Sequence, residues 1–168
     1  MIMNGLEYIE EVALMFTLLG VLAFCSAAET AYSAASRKKI EAMCEEKKSG
    51  AGLAVKLLTR FDETLSTILI ANTIVCVALS SVGAVVFGEI VGSDEYGAAV
   101  SGVLLTVFIL LFGEISPTLM AKESPEQTAC FLALPLYTAS FVLKPFCLMI
   151  SMWKTFLMKI LKKSSSGK

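Results

Sequence analysis

The sequence contains no histidine among its 168 residues. This absence excludes Ser/His and Cys/His catalysis, the HExxH metalloprotease and transition-metal sites built from imidazole. Five cysteines are present, but their number is odd and no two of them form a CxxC pair. Such cysteines are typical of helix packing and not of a disulfide framework or a zinc site. Because a nucleophile motif is missing as well, we do not expect an enzyme.

Charge is also scarce, since only 17% of the residues are charged whereas 56% are hydrophobic. The mean hydropathy of +0.75 is too high for an ordinary soluble domain and predicts a membrane protein embedded in the lipid bilayer. The net charge of −1 gives no reason to expect nucleic acid as a partner. A chain of this length allows one compact bundle, so we expect residues 1–168 to form a single domain.

Long apolar stretches predict the transmembrane helices. A hydrocarbon core about 30 Å thick needs roughly 20 helical residues. Three predominantly apolar stretches meet this requirement, at about 8–36, 64–90 and 96–116. The sequence therefore predicts an all-α membrane protein with three transmembrane helices.

A fourth apolar stretch, residues 128–153, is interrupted by Pro135, Lys144 and Pro145. We interpret it as broken interfacial helices within a cytoplasmic juxtamembrane helical belt over about 124–160, with lysines that reach the lipid headgroups. A kinked fourth span is the alternative, because prolines are tolerated in membrane helices.

Basic residues are distributed unevenly between the connections. The connection between the first two spans contains seven lysines and arginines, whereas the next one contains Asp94 and Glu95 and no basic residue. By the positive-inside rule the N-terminus is outside and the C-terminus is cytoplasmic in a multi-pass plasma-membrane protein. The basic tail agrees with three spans, since a fourth would place it outside.

Three polar residues lie deep within the predicted spans. Ser26, Asn72 and Glu114 are 11, 9 and 8 residues inward from the charged cytoplasmic ends of their helices. At 1.5 Å per helical residue these depths are roughly 17, 14 and 12 Å, near the middle of the hydrocarbon core. A carboxylate at such a depth costs on the order of 3 kcal/mol on insertion scales. A bound cation would offset this cost.

The available ligand types favour a hard cation. Hydroxyl, amide and carboxylate oxygens suit Mg²⁺, Ca²⁺ or Na⁺, and not zinc or copper. Pro117 has no N–H to donate to the carbonyl four residues back, which belongs to Gly113. That carbonyl is a candidate further ligand, as in the broken helices of transporters, and the missing side chain allows close approach. The candidate metal site is therefore Ser26, Asn72, Gly113 and Glu114.

Each of these residues also has a simpler interpretation. Glu114 ends an apolar run and is explained equally by the membrane boundary. Asn72 is explained by hydrogen bonding between helices, and Ser26 by close helix packing that needs a small residue. Spacing alone leaves these alternatives open.

Three motifs follow each other in a fixed order, SAAETAYSAASRKKI at 26–40, TLSTILIANTIV at 64–75 and LLFGEISPTLMAKESPE at 110–126. Together they resemble the transmembrane domain of the CNNM/CorC family of Mg²⁺ transporters, a DUF21-type membrane domain. The resemblance covers roughly residues 12–159. It implies a homodimer of three-span protomers that exports Mg²⁺ in exchange for Na⁺, with the juxtamembrane belt on the cytoplasmic side.

The same resemblance implies the ligands of a dehydrated Mg²⁺. Matched by position, they are the side chains of Ser26, Asn72 and Glu114 and the carbonyl of Gly113. One departure is Thr118, since many relatives have lysine there. Relatives usually continue into a CBS-pair module, whereas this sequence contains neither that module nor a CorC C-terminal domain, so we expect no nucleotide site here. The rival hypothesis is a membrane scaffold or regulator that binds Mg²⁺ structurally without transporting it.

Overall fold

The computed structural model describes residues 5–91 and 95–142, and the backbone of this part of the chain is helical with no strand. Seven α-helices and one π-helix follow each other along it. Their bounds are α1 Gly5–Ala34, α2 Arg37–Glu45, α3 Ala51–Thr59, α4 Phe61–Val91, α5 Glu95–Phe108, the π-helix Ile109–Ile115, α6 Ser116–Glu123 and α7 Pro125–Val142.

Three of the described segments are long and apolar enough to cross a membrane, as the sequence predicts. They are Leu6–Ala34, Phe61–Val91 and Ala99–Glu123. The third runs through α5, the π-helix and α6, and it continues past residue 116, where we predicted its end. It does so because Pro117 lies in the first turn of α6, where a missing N–H costs the helix little.

The connection between the first two spans is also helical. It forms α2 and α3, joined by a turn in which Lys47 and Gly50 have positive φ values of 56° and 80°. A side chain at Gly50 would overlap the carbonyl oxygen of Cys130 on α7. Glycine is therefore required at position 50 for two reasons, the positive φ of its backbone and the close contact with α7.

Two hydrophobic clusters form the core of the described chain. The α5 cluster joins α1, α4, α5 and the start of the π-helix, and consists of Met15, Leu19, Leu22, Leu79, Val86, Leu105 and Ile109. The α7 cluster joins the other end of α1 to α2, α3, α7 and the nearby ends of α4 and α6. Its buried members include Ala28, Tyr32, Ile40, Leu57, Ile68, Ala121, Ala129, Cys130 and Leu136. Helix α1 belongs to both clusters.

Helix α7 lies where we predicted the start of the juxtamembrane belt. It contacts α1, α2, α3 and α4, and the hydroxyl of Tyr32 on α1 donates a 3.1 Å hydrogen bond to the carbonyl of Ala129. The predicted break at Pro135 is wrong, because the helix continues through this exposed proline to Val142. Lys144, Pro145 and the rest of the predicted belt lie outside the described residues.

Glu126 in the first turn of α7 connects this helix to the start of α2. Its Oε1 lies 3.1 Å from Lys39 Nζ and accepts a 3.4 Å hydrogen bond from the Ser36 backbone N–H. Burial raises the pKa of Glu126, but hydrogen bonds from its own backbone N–H, Lys39 and Ser36 outweigh this effect and hold the pKa below its ordinary value. The carboxylate therefore stabilises the junction of the two helices in its charged form.

Candidate cation site between the spans

Ser26 lies on α1 between the two hydrophobic clusters. Leu22, one turn earlier, is a fully buried member of the α5 cluster, and Ala28 is a fully buried member of the α7 cluster. Ser26 itself is only 5% exposed. Because α1 contacts α4, the π-helix and α6, this hydroxyl belongs to the helix that touches all the other candidate elements.

Asn72 occupies the corresponding position on α4. It follows Ile68 of the α7 cluster by four residues and precedes Leu79 of the α5 cluster by seven. Its side-chain oxygen is buried and has no hydrogen-bond partner, a state shared among the described residues only by Oε2 of Glu11. A buried amide oxygen without a partner costs about 1–3 kcal/mol, so this atom is available to a ligand.

The third span changes its hydrogen-bond pattern at the candidate site. In the π-helix the backbone N–H of Ser116 bonds to the carbonyl of Leu111, five residues back, and the Ser116 hydroxyl donates a 2.7 Å bond to the same oxygen. Pro117 follows directly and has no N–H for the carbonyl of Phe112 or Gly113. Single π-turns within α-helices occur frequently at functional sites. The α-helical geometry assumed in the depth estimate for Glu114 is therefore wrong.

Gly113 in the π-helix packs tightly against α1. A Cβ atom at this position would lie 2.7 Å from Leu22 Cδ2 and 3.4 Å from Leu19 Cδ1. The missing side chain thus allows the third span to approach the first at the level of the candidate site. Whether the Gly113 carbonyl binds a cation stays a prediction.

Glu114 is partly buried and forms no ion pair or hydrogen bond with another described residue. Along the third span it lies between Ile109 of the α5 cluster and Ala121 of the α7 cluster. We call Ser26, Asn72, Gly113 and Glu114 the middle layer, because along its own span each of them lies between residues of the α5 cluster and residues of the α7 cluster. The observed contact between these spans at this level is that of Gly113 with Leu22 and Leu19, and a shared site for the three side chains stays a prediction. The described residues contain no group of three or more His, Cys, Asp or Glu side chains that could hold a metal ion, so neutral oxygens would have to complete any cation site in this layer.

Two further polar features lie on the first and third spans, outside the set of candidate ligands. Thr30 on α1 donates a 3.4 Å hydrogen bond to the hydroxyl of Thr118 on α6, which links the first and third spans. Glu29, three residues after Ser26, is a second partly buried carboxylate and has no ion pair with a described cation. The spacing of three residues places Glu29 on the same face as Ser26, and this is the signal that could have identified it.

Comparisons with known proteins identify relatives over most of the chain. The Cyclin M transmembrane N-terminal domain family matches residues 13–168. An inner membrane protein of Escherichia coli strain K12, the UPF0053 protein YfjD, is 30% identical over 125 residues, which are 74% of this chain and 27% of the relative.

Two other bacterial proteins are also similar to this chain over most of its length. A UPF0053 protein of Haemophilus influenzae is 30% identical over 70% of this chain and 28% of its own length. The UPF0053 protein YhdT of Bacillus subtilis is 26% identical over 84% of this chain and 33% of its own length. This chain thus spans about a third or less of these relatives, and it belongs to the Cyclin M (CNNM, DUF21-type) transmembrane domain family.

Proposed function

We propose that this chain is the membrane domain of a Mg²⁺ transporter that exports the ion in exchange for Na⁺ through the middle layer. The observation that carries the proposal is the position of Asn72, whose buried side-chain oxygen has no partner and lies between two apolar clusters. Family membership supports a transport-related role in the membrane. The identity of the ion, the direction and the coupling are part of the proposal.

The oxygens of the middle layer match the chemistry of Mg²⁺. This ion takes six oxygen ligands at about 2.0–2.1 Å, often from one or two carboxylates with water and carbonyls. Glu114 supplies the charge, and Ser26, Asn72 and the Gly113 carbonyl supply neutral oxygens. One carboxylate compensates only half of the ion's charge, which keeps the affinity moderate and permits release.

The two clusters give alternating access a physical basis. In the proposed mechanism, the α5 cluster separates an ion in the middle layer from one side of the membrane and the α7 cluster separates it from the other side. Only one of the two clusters needs to open at a time. Helix α1 belongs to both clusters, so a movement of α1 relative to α4 would open one cluster as it closes the other. This is the arrangement required of a transporter with a site near the middle of the membrane.

Glu114→Gln tests the assignment of the ion site. The substitution keeps size and hydrogen-bonding capacity but removes the charge, so Mg²⁺ affinity measured by calorimetry is expected to fall at least about tenfold and flux in proteoliposomes to be lost. Folding is expected to survive, since a neutral amide in the membrane costs less than a carboxylate.

Thr118→Ala is the matched control in the next turn. Its 3.4 Å hydrogen bond with Thr30 is long and therefore weak, so binding and flux are expected to stay close to those of the parent. If Glu114→Gln binds and transports like the parent, the carboxylate only marks the membrane boundary. If the parent binds Mg²⁺ but moves none, the rival hypothesis of a scaffold is correct.

A further inference from the structure

A cavity of about 520 Å³ lies apart from the middle layer, where the end of α3, the first turns of α4 and the end of α7 meet. Lys56, Arg60 and Glu63 line it on the side of α3 and α4, and Tyr137 and Phe141 line it on the side of α7. The second membrane-spanning segment begins at Phe61. The cavity is therefore located at the end of a span, where the lipid headgroups are expected.

The charged side chains of this cavity are available to a ligand. Arg60 Nη1 lies 3.6 Å from Glu63 Oε2, and both side chains are about two-thirds exposed, at 68% and 70%. An exposed ion pair at this distance contributes little to stability, so another anion can readily take the place of the Glu63 carboxylate beside Arg60. Lys56 has no carboxylate partner among the described residues. Two cations thus face one weakly held carboxylate.

The threonine and serine hydroxyls of the cavity are acceptors. Thr59 Oγ1 donates its proton to the Val55 carbonyl at 2.8 Å, and Ser140 Oγ donates to the Leu136 carbonyl at 2.8 Å. Buried Thr64 donates in the same way to Leu57 at 2.9 Å. Since each hydroxyl has one proton and two lone pairs, these oxygens can only accept further hydrogen bonds. A ligand that fits them must itself carry N–H or O–H donors.

The remaining wall of the cavity is apolar. Leu57 is buried beneath it, and Phe141 and Tyr137 are 72% and 49% exposed at its rim. Large exposed aromatic rings at the end of a span contact acyl chains and the headgroup region of a bilayer. The ligand therefore has an anionic group, N–H or O–H donors and an apolar part.

We propose that this cavity binds the headgroup of an anionic phospholipid whose head carries hydroxyl groups. The phosphate lies between Lys56 and Arg60, the head hydroxyls donate to the threonine and serine oxygens, and the acyl chains pass along Phe141. Phosphatidylglycerol combines these three features. The site is distinct from the cation site, because it involves neither α1 nor the third span.

Binding is tested with the purified full chain after removal of co-purified lipid. Native mass spectrometry and thermal unfolding in detergent are measured with phosphatidylglycerol, phosphatidylcholine, phosphatidic acid and soluble glycerol phosphate. Phosphatidylglycerol is expected to bind and to raise the Tm, and the other three to bind at least about fivefold more weakly. Lys56→Gln and Arg60→Gln are each expected to weaken the binding of phosphatidylglycerol about fivefold, which is the effect of one basic residue near an anionic surface.

Two control variants separate a built site from general attraction. Lys38→Gln removes an exposed charge on α2 outside the cavity and is expected to leave binding unchanged, and Arg60→Lys keeps the charge and most of the affinity. Equal binding of phosphatidylcholine, or equal weakening by Lys38→Gln, would overturn the proposal. If glycerol phosphate binds as tightly as phosphatidylglycerol, this is a site for free phosphate esters and not for lipid. Equal binding of phosphatidic acid would overturn the role of the head hydroxyls.

Discussion

Asn72 carries an unfavourable group in the apolar interior of the spans. Its buried oxygen has no partner among the described residues, whereas the neighbouring Thr73 donates its hydroxyl proton to the Leu69 carbonyl at 2.8 Å. A helix selected only for stability would have an apolar side chain at position 72, because removal of an unsatisfied polar group is neutral or stabilising. We therefore expect asparagine at this position to serve a function other than stability.

Asn72→Leu is expected to separate stability from binding. The leucine has the same number and branching of side-chain heavy atoms and lacks the unsatisfied oxygen, so the Tm of the metal-free protein in detergent should be unchanged or higher. The increase in Tm on addition of Mg²⁺ should be reduced or lost, because one ligand is missing. Thr73→Val on the exposed side of α4 is the control and should keep the Mg²⁺ effect. A full Mg²⁺-dependent increase in Asn72→Leu would show that Asn72 is not a ligand.

Gly113→Ala is expected to destabilise the contact between the first and third spans. The added methyl group would lie 2.7 Å from Leu22 Cδ2, and Leu22 is fully buried, so a cost of about 1–3 kcal/mol is expected. Thermal unfolding measures it, with Gly102→Ala as control, because a Cβ at Gly102 has no neighbour within 4 Å. In the double variant with Leu22→Ala, the Gly113→Ala cost should largely disappear. A persistent cost would assign the effect to the backbone of the π-helix.

The candidate residues of the middle layer could be selected from the sequence, but their contacts with other spans could not. Depth along the spans and the three motifs selected Ser26, Asn72 and Glu114 as candidates, since polar residues are rare inside apolar spans. The unpartnered oxygen of Asn72 and the packing of Gly113 on Leu22 depend on residues distant in sequence. Spacing within one helix contains no information about such contacts.

At the scale of whole elements, hydropathy was sufficient to predict where the spans lie but not where their helical geometry is irregular. The first two spans begin and end within three residues of the predicted limits, because a long apolar run has few alternatives in a membrane. The π-helix was not predicted, since α- and π-turns differ only in the hydrogen-bond register and Pro117 indicates merely that some change occurs nearby. The short helix α3 was not predicted, because the basic residues of this connection were used mainly as a topology signal.

The junction of α2 and α7 is expected to weaken in acid. The pKa of Glu126 is lower in the folded protein than its ordinary value, so this group contributes stability above the pKa it has in the unfolded chain. That contribution is lost as the pH falls through the lower, folded-state pKa. Thermal unfolding from neutral to acidic pH should show a smaller loss for Glu126→Gln than for the parent. Lys39→Met should also reduce the pH dependence, and identical profiles in all three proteins would contradict the argument.

For the whole molecule, the described chain alone does not enclose its own candidate site. The π-helix and α6 expose large apolar side chains, among them Phe112 at 55%, Leu119 at 58% and Met120 at 73%. Glu114 lies in the same segment and is only partly buried. Lipid can cover the apolar side chains, but a carboxylate facing hydrocarbon is costly. A second protein surface is therefore expected beside the third span.

A homodimer would supply that surface and is expected as the functional unit. Mass measurement in mild detergent should give two chains, and the Tm should rise with protein concentration if dissociation accompanies unfolding. A cysteine at position 119 of the third span, in a variant without the native cysteines, should be less reactive to a thiol reagent in the dimer than in a detergent-dissociated monomer. A cysteine at Val77, exposed on α4, provides the comparison. A stable monomer that still transports Mg²⁺ would contradict the expected dimer. Glu114 would then have to be covered by its own chain, because a carboxylate facing hydrocarbon is costly.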